Sequence, residues 1–488
     1  MQRRTFASGA LIAPVGLVGL ASFGASPVRG QASETSSGPW AMGAHPDFTL
    51  DVRADKVELF GKSIDALLVG QTWPGTPIRY RKGERFRVLV NNHLAEPTSI
   101  HWHGLILPNL EDGVPSVTQS PILPSTSLYY EFELKQAGTF WYHSHFGLQE
   151  QQGLLGALII DDPDEPNDYD EDVTIVLGDV TDIPVDDVIG KLRGGSLQAD
   201  PHEPYTMPDG SAFPIDVPYL GYLLNGKTPE TPWTQALRAG RRARLRFINA
   251  SGSTFFRVAI DGLSMMVVAC DGDAVEPVEA DDVIIGTAQR YDVLVTLPES
   301  GSYTIHAAAL GDDKQAIGVL HTKDTTPNAN TGRPKLDGRS LDVATLQATE
   351  PTELPAGPVT RHTVELTGEM KKYLWAMNGN VWPEPYAKFA DDQAAESYYD
   401  VAFGQNVRFD FVNHTMMAHP MHLHGHVFRV IGNGDTKADA PLRDTVVVYP
   451  KQKISIEFVA NNPGKWFFHC HNIWHLATGM AQAVRYEV

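Results

Sequence analysis

A chain of 488 residues is too long for one ordinary core, so about three domains of ~150 residues each are expected. A formal net charge of −20 argues against nucleic acid as a partner, because phosphates would be repelled, and suits neutral or cationic small molecules. Hydrophobic content of 42%, with 43 Gly and 34 Pro, describes a soluble globular protein leaning to β-sandwiches with turn-rich connections.

The N-terminus carries Arg3-Arg4, then an apolar Gly/Ala-rich stretch, then small residues. This reads as a signal peptide over 1–32, and the adjacent arginines point to the twin-arginine export machinery, although Gln2 stands where Ser or Thr usually precedes the pair. Later stretches are too polar to span a bilayer, so an exported, periplasm-like location without membrane insertion is expected. The sequence has 2 Cys. Cys270, in "MMVVACDG", reads as a small core hydrophobe. Cys470 lies between two histidines and needs its own explanation.

Along the mature chain one pattern occurs three times. The strands "RFRVLVNN" (85–92), "RARLRFINAS" (242–251) and "VRFDFVNHT" (407–415) reach an Asn and lead to Gly104, Gly262 and Gly425. Later come "AGTFWYHSH" (137–145), "SGSYTIHAA" (300–308) and "PGKWFFHCH" (463–471), each with His five residues after Gly: His143, His306 and His469. Three copies of one β-domain are therefore expected, over 45–162, 172–322 and 358–488, with polar Pro-rich connectors at 161–172 and 322–338. The glycines are preceded by "HWH", "AID" and "HLH", so the middle copy keeps the pattern and loses the paired histidines. His306 is then a packed leftover, and His93, His414 and His426 are bystanders to the motifs.

His-x-His on a strand points both imidazoles to one face, because side chains alternate. Four such pairs, His101/His103, His143/His145, His422/His424 and His469/His471, offer eight nitrogen ligands of a kind that suits Zn, Cu, Fe and Ni. Cys470 faces the other way from its flanking histidines. It can join a second site with His475, Met480 and His419, and two His, one thiolate and a distant Met make a blue-copper electron-transfer set. Cys470 is also joined through the backbone to His469 and His471, a covalent electron path between the two sites.

The motifs "HWHG", "HSH", "HPMHLHG" and "HCHNIWHLATGM" resemble those of three-domain multicopper oxidases over essentially the whole mature chain, and "DGVP" (112–115), "HSHFGLQEQQGLLGALIID" and "YLWAMNG" resemble bacterial copper-resistance oxidases and laccase-like relatives. The resemblance implies three consecutive cupredoxin-like Greek-key β-sandwich domains, the middle one a spacer, and four copper ions. His419, Cys470 and His475, with Met480 as weak axial ligand, would bind the type 1 copper, and His101 and His422 the type 2 copper. His103, His143 and His471 would hold one type 3 copper, and His145, His424 and His469 the other. Substrate would be oxidised one electron at a time while dioxygen is reduced to water. Asp112 matches an acidic residue that relays protons in relatives, the alternative reading being a turn-forming Asp before Gly113. Some relatives carry Glu directly after the type 1 histidine, where this chain has Leu476.

Cuprous oxidases often carry a Met-rich segment; this chain has 11 Met and no such insert, and Met416, Met417 and Met421 near His419 read as core filler. The loop at 432–444 reads as solvated. The expected reductants are phenols and aromatic amines approaching an exposed His475, the alternative being a periplasmic cuprous oxidase of copper resistance. A scaffold without chemistry, or a nitrite reductase, does not suit the complete set of histidine pairs.

Overall fold

The computed structural model describes residues 45–165, 168–197, 205–298, 300–383, 395–432 and 439–487, with the backbone of a short strand at Ala32–Ser33. The signal segment expected over 1–32 otherwise lies outside these residues, as does 433–438 of the loop at 432–444. Among the described residues no helix is long and apolar enough to cross a membrane.

Each repeat contributes two sheets; the orders match fully between the middle and third repeats, and the first repeat shares four strands of each sheet with them. In the first sheet of every repeat the opening strand runs parallel to the Asn-terminated strand: Phe48–Leu59 beside Arg85–Asn92, Glu171–Val180 beside Arg242–Asn249, and Val359–Glu369 beside Asn406–Asn413. Their alternating or continuous apolar faces supply the core, with Val88, Leu245 and Phe409 all fully buried. The second sheet pairs the strand before the positive-φ glycine with the strand after the second glycine. These are His101–His103 with Gly138–His143, Phe256–Ile260 with Ser302–Ala309, and His419–Leu423 with Lys465–Cys470. The register is equivalent: His101 faces His143, Ala259 faces His306, and His422 faces His469.

The recurrent asparagines have one job in all three copies. Asn92, Asn249 and Asn413 accept from the backbone N–H two residues on, at 2.9, 3.1 and 2.8 Å. Their amides donate to carbonyls on both sides of the following loop: Glu96 and Ile122, Thr254 and Ile285, Met417 and Val448. Each is a buried turn that ties the first sheet to the entrance of the second. Gly104, Gly262 and Gly425 then leave the second-sheet strand at φ of 88°, 71° and 64°, a conformation that only glycine adopts cheaply.

A buried polar cluster joins the first and middle repeats. Asp292 of the middle repeat accepts from Thr139 Oγ1 of the first (2.7 Å) and from Arg244 and Arg246 of its own repeat. Removing one partner of such a cluster would leave a buried charge uncompensated, at a cost of about 3–5 kcal/mol.

Candidate metal centre

Two groups of donors come together, both buried. In the smaller group, His419 Nδ1 and His475 Nδ1 lie 3.1 Å apart, and Cys470 Sγ is 3.6 Å from each. This is a trigonal two-nitrogen, one-sulfur set around a common point. Asn472 caps the short helix Ile473–Ala477, accepting from the backbone N–H of Trp474 and His475, and that turn returns His475 to Cys470. Thr415 Oγ1, 2.8 Å from His419 Nε2, holds the other ring. Burial, then His475, lowers the His419 pKa well below the usual imidazole range, so the ring is neutral. Burial also pushes the Cys470 pKa upward, so the thiol keeps its proton until a bound metal ion displaces it to solvent. Met480 is fully buried beside this set; its N–H donates to His475 O and its carbonyl accepts from Cys470 N–H, both at 3.0 Å.

The exposed His475 expected from sequence is not found: its exposure is 0%. Asp216 of the middle repeat places Oδ2 3.1 Å from His475 Nε2, and the Trp375 ring covers the imidazole at 4.2 Å between centroids. The Tyr373 hydroxyl also donates to Asp216. A narrow cleft lined by Phe213, Asp216, Phe255, Met417 and Asn472 opens beside this arrangement.

In the larger group the eight imidazoles converge from the first and third repeats. His101, His103 and His422 form one donor set within 4.8 Å, His103, His143 and His471 a second, and His145, His424 and His469 a third. Nε2 of His424 and Nε2 of His469 face each other at 3.0 Å. The outer nitrogen of most rings meets a pure acceptor and so carries the proton. His101 Nδ1–H donates to Asp112 O (2.7 Å), His422 Nδ1–H to Asp444 O (2.8 Å), and His469 Nδ1–H to Cys470 O (3.0 Å). The inward nitrogens of His101, His143, His422 and His471 (Nε2) and of His103 (Nδ1) are buried without a partner in the protein. Burial is the first cause, and neighbouring imidazoles add to it, that lowers the pKa of His103, His143, His145, His424, His469 and His471 well below the ordinary value. Neutral rings with lone pairs aimed at a shared space are what a metal ion requires.

Three buried carboxylates back these rings, and each reaches one histidine of the first repeat and one of the third. Asp112 lies 3.3 Å from His101 Nδ1 and 3.0 Å from His424 Nδ1. Asp444 lies 3.0 Å from His103 Nε2 and 3.6 Å from His422 Nδ1. Glu150 lies 2.7 Å from His143 Nδ1 and 3.8 Å from His471 Nδ1. The sequence reading named only Asp112. Glu150, five residues after His145 in the quoted "HSHFGLQEQQG", and Asp444, closing "PLRD", had no spacing signal of their own. Asp112 is held by the tight turn that sequence suggested: Gly113 has φ 89°, and a Cβ there would lie 1.8 Å from Ile100 O. The position after His475 is occupied by buried Leu476, which carries no proton.

The middle repeat supplies no donor to these sets. Its His306 is buried, with Nδ1 3.0 Å from Gln315 Oε1 and Nε2 3.2 Å from Asp261. Residues of this repeat nevertheless lie against both groups, Asp216 against His475 and Arg290 against Asp444, which backs His103.

Family models described as multicopper oxidase match residues 51–165, 171–325 and 356–488. The chain is 37% identical over 460 residues to multicopper oxidase MmcO of Mycobacterium tuberculosis, covering 90% of this chain and 86% of that one. It is 29% identical over 624 residues to copper resistance protein A of Escherichia coli, covering 99% of each. The laccase of Botrytis aclada superposes with a TM-score of 0.75 at 27% identity, over 90% of this chain and 87% of that one. Matching repeats, converging neutral imidazoles and a lone cysteine between two of them thus agree with these likenesses, and the chain belongs to the multicopper oxidases, copper-dependent oxidoreductases built from three cupredoxin-like domains.

Proposed function

We propose that the chain holds four copper ions and oxidises small electron-rich aromatics at the expense of dioxygen. Its domains are taken as 45–162, 172–322 and 358–488. His419, Cys470 and His475, with Met480 as weak axial ligand, hold the type 1 ion. His101 and His422 hold the type 2 ion; His103, His143 and His471 one type 3 ion; and His145, His424 and His469 the other. The observation that carries this reading is the set of five inward ring nitrogens left without a protein partner, four of them on rings whose opposite nitrogen is anchored. A buried unpaired polar atom costs about 1–3 kcal/mol, and a metal ion removes that cost at each ring.

Copper, when bound, supplies one-electron exchange at the thiolate site and four-electron reduction of dioxygen to two waters, with four protons, at the histidine cluster. The protein's part is to bind, orient and insulate. Because His475 is enclosed, a reductant docks at the cleft, where Asp216 can accept the hydrogen bond of a phenol or an aromatic ammonium. The electron path then runs through the His475 ring and from Cys470 along the backbone to His469 and His471. Burial of the cluster excludes bulk water, and of the three carboxylates behind the rings Asp112, against His101 and His424, is the one we assign to relay protons inward.

A second reading has a specific basis. Met416 is 63% exposed and Met417 lines the cleft, so thioethers stand where Cu(I) would dock, and one relative is named for copper resistance. Steady-state rates for Cu(I) and for phenols on the same fully copper-loaded enzyme decide between them. Phenol turnover without added copper supports the laccase-like reading; far more efficient Cu(I) consumption, or phenol turnover only with excess copper, replaces it. Export to the periplasm by the twin-arginine route belongs to the same proposal, and Arg3→Lys with Arg4→Lys would block it.

A further inference from the structure

Of the cluster imidazoles with a partnerless nitrogen, His103 alone turns Nδ1 inward; the others turn Nε2. Its equivalent in the third repeat, His424, has the opposite orientation, with Nδ1 on Asp112 and Nε2 facing His469. What holds the His103 ring this way is Asp444, whose Oδ1 accepts from His103 Nε2–H at 3.0 Å. Asp444 is in turn held by a cation from the repeat that has no copper ligands. Arg290 donates to Asp444 Oδ1 at 2.8 Å and Oδ2 at 2.6 Å. The rest of the guanidinium is fixed by Thr139 O (3.0 Å) and Ala288 O (3.1 Å), and the Arg290 backbone N–H by Asp271 Oδ1 (2.9 Å). Arg290 and Asp444 are both completely buried.

Space for the pair is made by the residue next to His103. A Cβ on Gly104 would stand 2.6 Å from Asp444 Oδ2 and 2.8 Å from Arg290 Nη2. Burial works to raise the Asp444 pKa, but Arg290, then His103, outweighs it and leaves the carboxyl well below its ordinary range. A bidentate fork fixes both oxygens, whereas a lone carboxylate is free to rotate about its bond.

We propose that Arg290 is a positioning residue for the trinuclear centre: by fixing Asp444 it sets the reversed orientation of His103, so the ligand-free middle repeat governs copper occupancy at the two donor sets that share His103. This rests on the copper assignment proposed above. Arg290→Lys keeps the buried charge and removes the fork. We expect this variant to remain blue, since the thiolate site lacks any contact with Arg290. It should lose half or more of its non-blue copper, with affinity there about 10–100-fold lower and the type 2 magnetic resonance signal altered. Arg290→Met combined with Asp444→Asn removes both buried charges together, a replacement proteins tolerate better than loss of one partner, and should show the same loss. Blue protein from either variant with wild-type copper content and type 2 signal overturns the proposal. Wild-type protein that never takes up non-blue copper would instead overturn the cluster assignment itself, so the two failures are distinguishable.

Discussion

Asp112→Asn tests how much of the oxygen chemistry depends on a carboxylate behind the histidines. The wild-type side chain is fully buried, with one oxygen 3.0 Å from His424 Nδ1 and the other 3.3 Å from His101 Nδ1. His101 Nδ1–H already donates to the Asp112 backbone carbonyl at 2.7 Å, so the side chain serves chiefly as acceptor for His424 Nδ1–H at 3.0 Å and as a negative charge beside both rings. Asparagine keeps the volume and one acceptor oxygen but removes the charge. The charge-assisted character of the His424 hydrogen bond, worth about 1.5–3 kcal/mol, goes with it. That corresponds to roughly a 10- to 100-fold change, the range found when groups behind metal-bound histidines are altered. The thiolate site lacks contact with Asp112, so electron entry stays near the wild-type rate. Rapid mixing separates the steps: anaerobic reductant should bleach the blue band at its normal rate, and oxygen should restore it 10- to 100-fold more slowly. Reoxidation at the wild-type rate, with unchanged type 2 spectra, would refute the argument and leave Asp112 a turn residue.

Three other outcomes are expected. Cys470→Ser abolishes the blue band and turnover while copper analysis still finds the histidine cluster loaded; Cys270→Ser, whose thiol burial pushes to about 12 and which lies in the core, stays blue and active. Gly113→Ala places a methyl group 1.8 Å from Ile100 O at φ 89°, so denaturant titration should show a loss above the roughly 1–2 kcal/mol of the left-handed conformation alone. Asp273, mostly buried, has its carboxyl raised to about 6 chiefly by burial. A raised carboxyl pKa means the folded state holds the proton more tightly, so its stabilisation is full below about pH 4 and lost as pH rises through about 6. The amount is up to about 3 kcal/mol by pH 7. Melting curves of Asp273→Asn against wild type should therefore diverge in the mutant's favour between pH 4 and 7; parallel curves would remove Asp273 from the account.

The repeat was legible because each copy repeats a constraint that only certain residues meet: an Asn that must bridge two loops, a Gly that must turn left-handed. The histidine sets were legible for a similar reason, since alternation on a strand places His-x-His on one face without reference to the rest of the chain. Asp444, Glu150 and Arg290 were not legible. Asp444 acts on a histidine 341 residues away and Arg290 on a carboxylate 154 residues away, while Glu150, though close to His143 in sequence, is a single acidic residue in a loop that no spacing marks. The enclosure of His475 was missed on the same grounds, because one of the residues that enclose it, Asp216, lies 259 positions earlier in another repeat.

The cross-repeat carboxylates bear on when the centre comes into being. Each of the three ties a ring from the start of the chain to a ring near its end, and every shared donor set draws on both. A nascent or truncated chain that stops before His422 has half a cage, four imidazoles with nothing opposite. Metal capture is therefore a report that the first and third repeats have met. Once captured, the ions act as a clasp whose strength depends on copper supply, through the mass-action rule that a ligand of the folded state alone stabilises it by RT ln(1 + [L]/Kd). Copper starvation should loosen the seam between the first and third repeats before it loosens any single sandwich, and limited proteolysis would register the order of release.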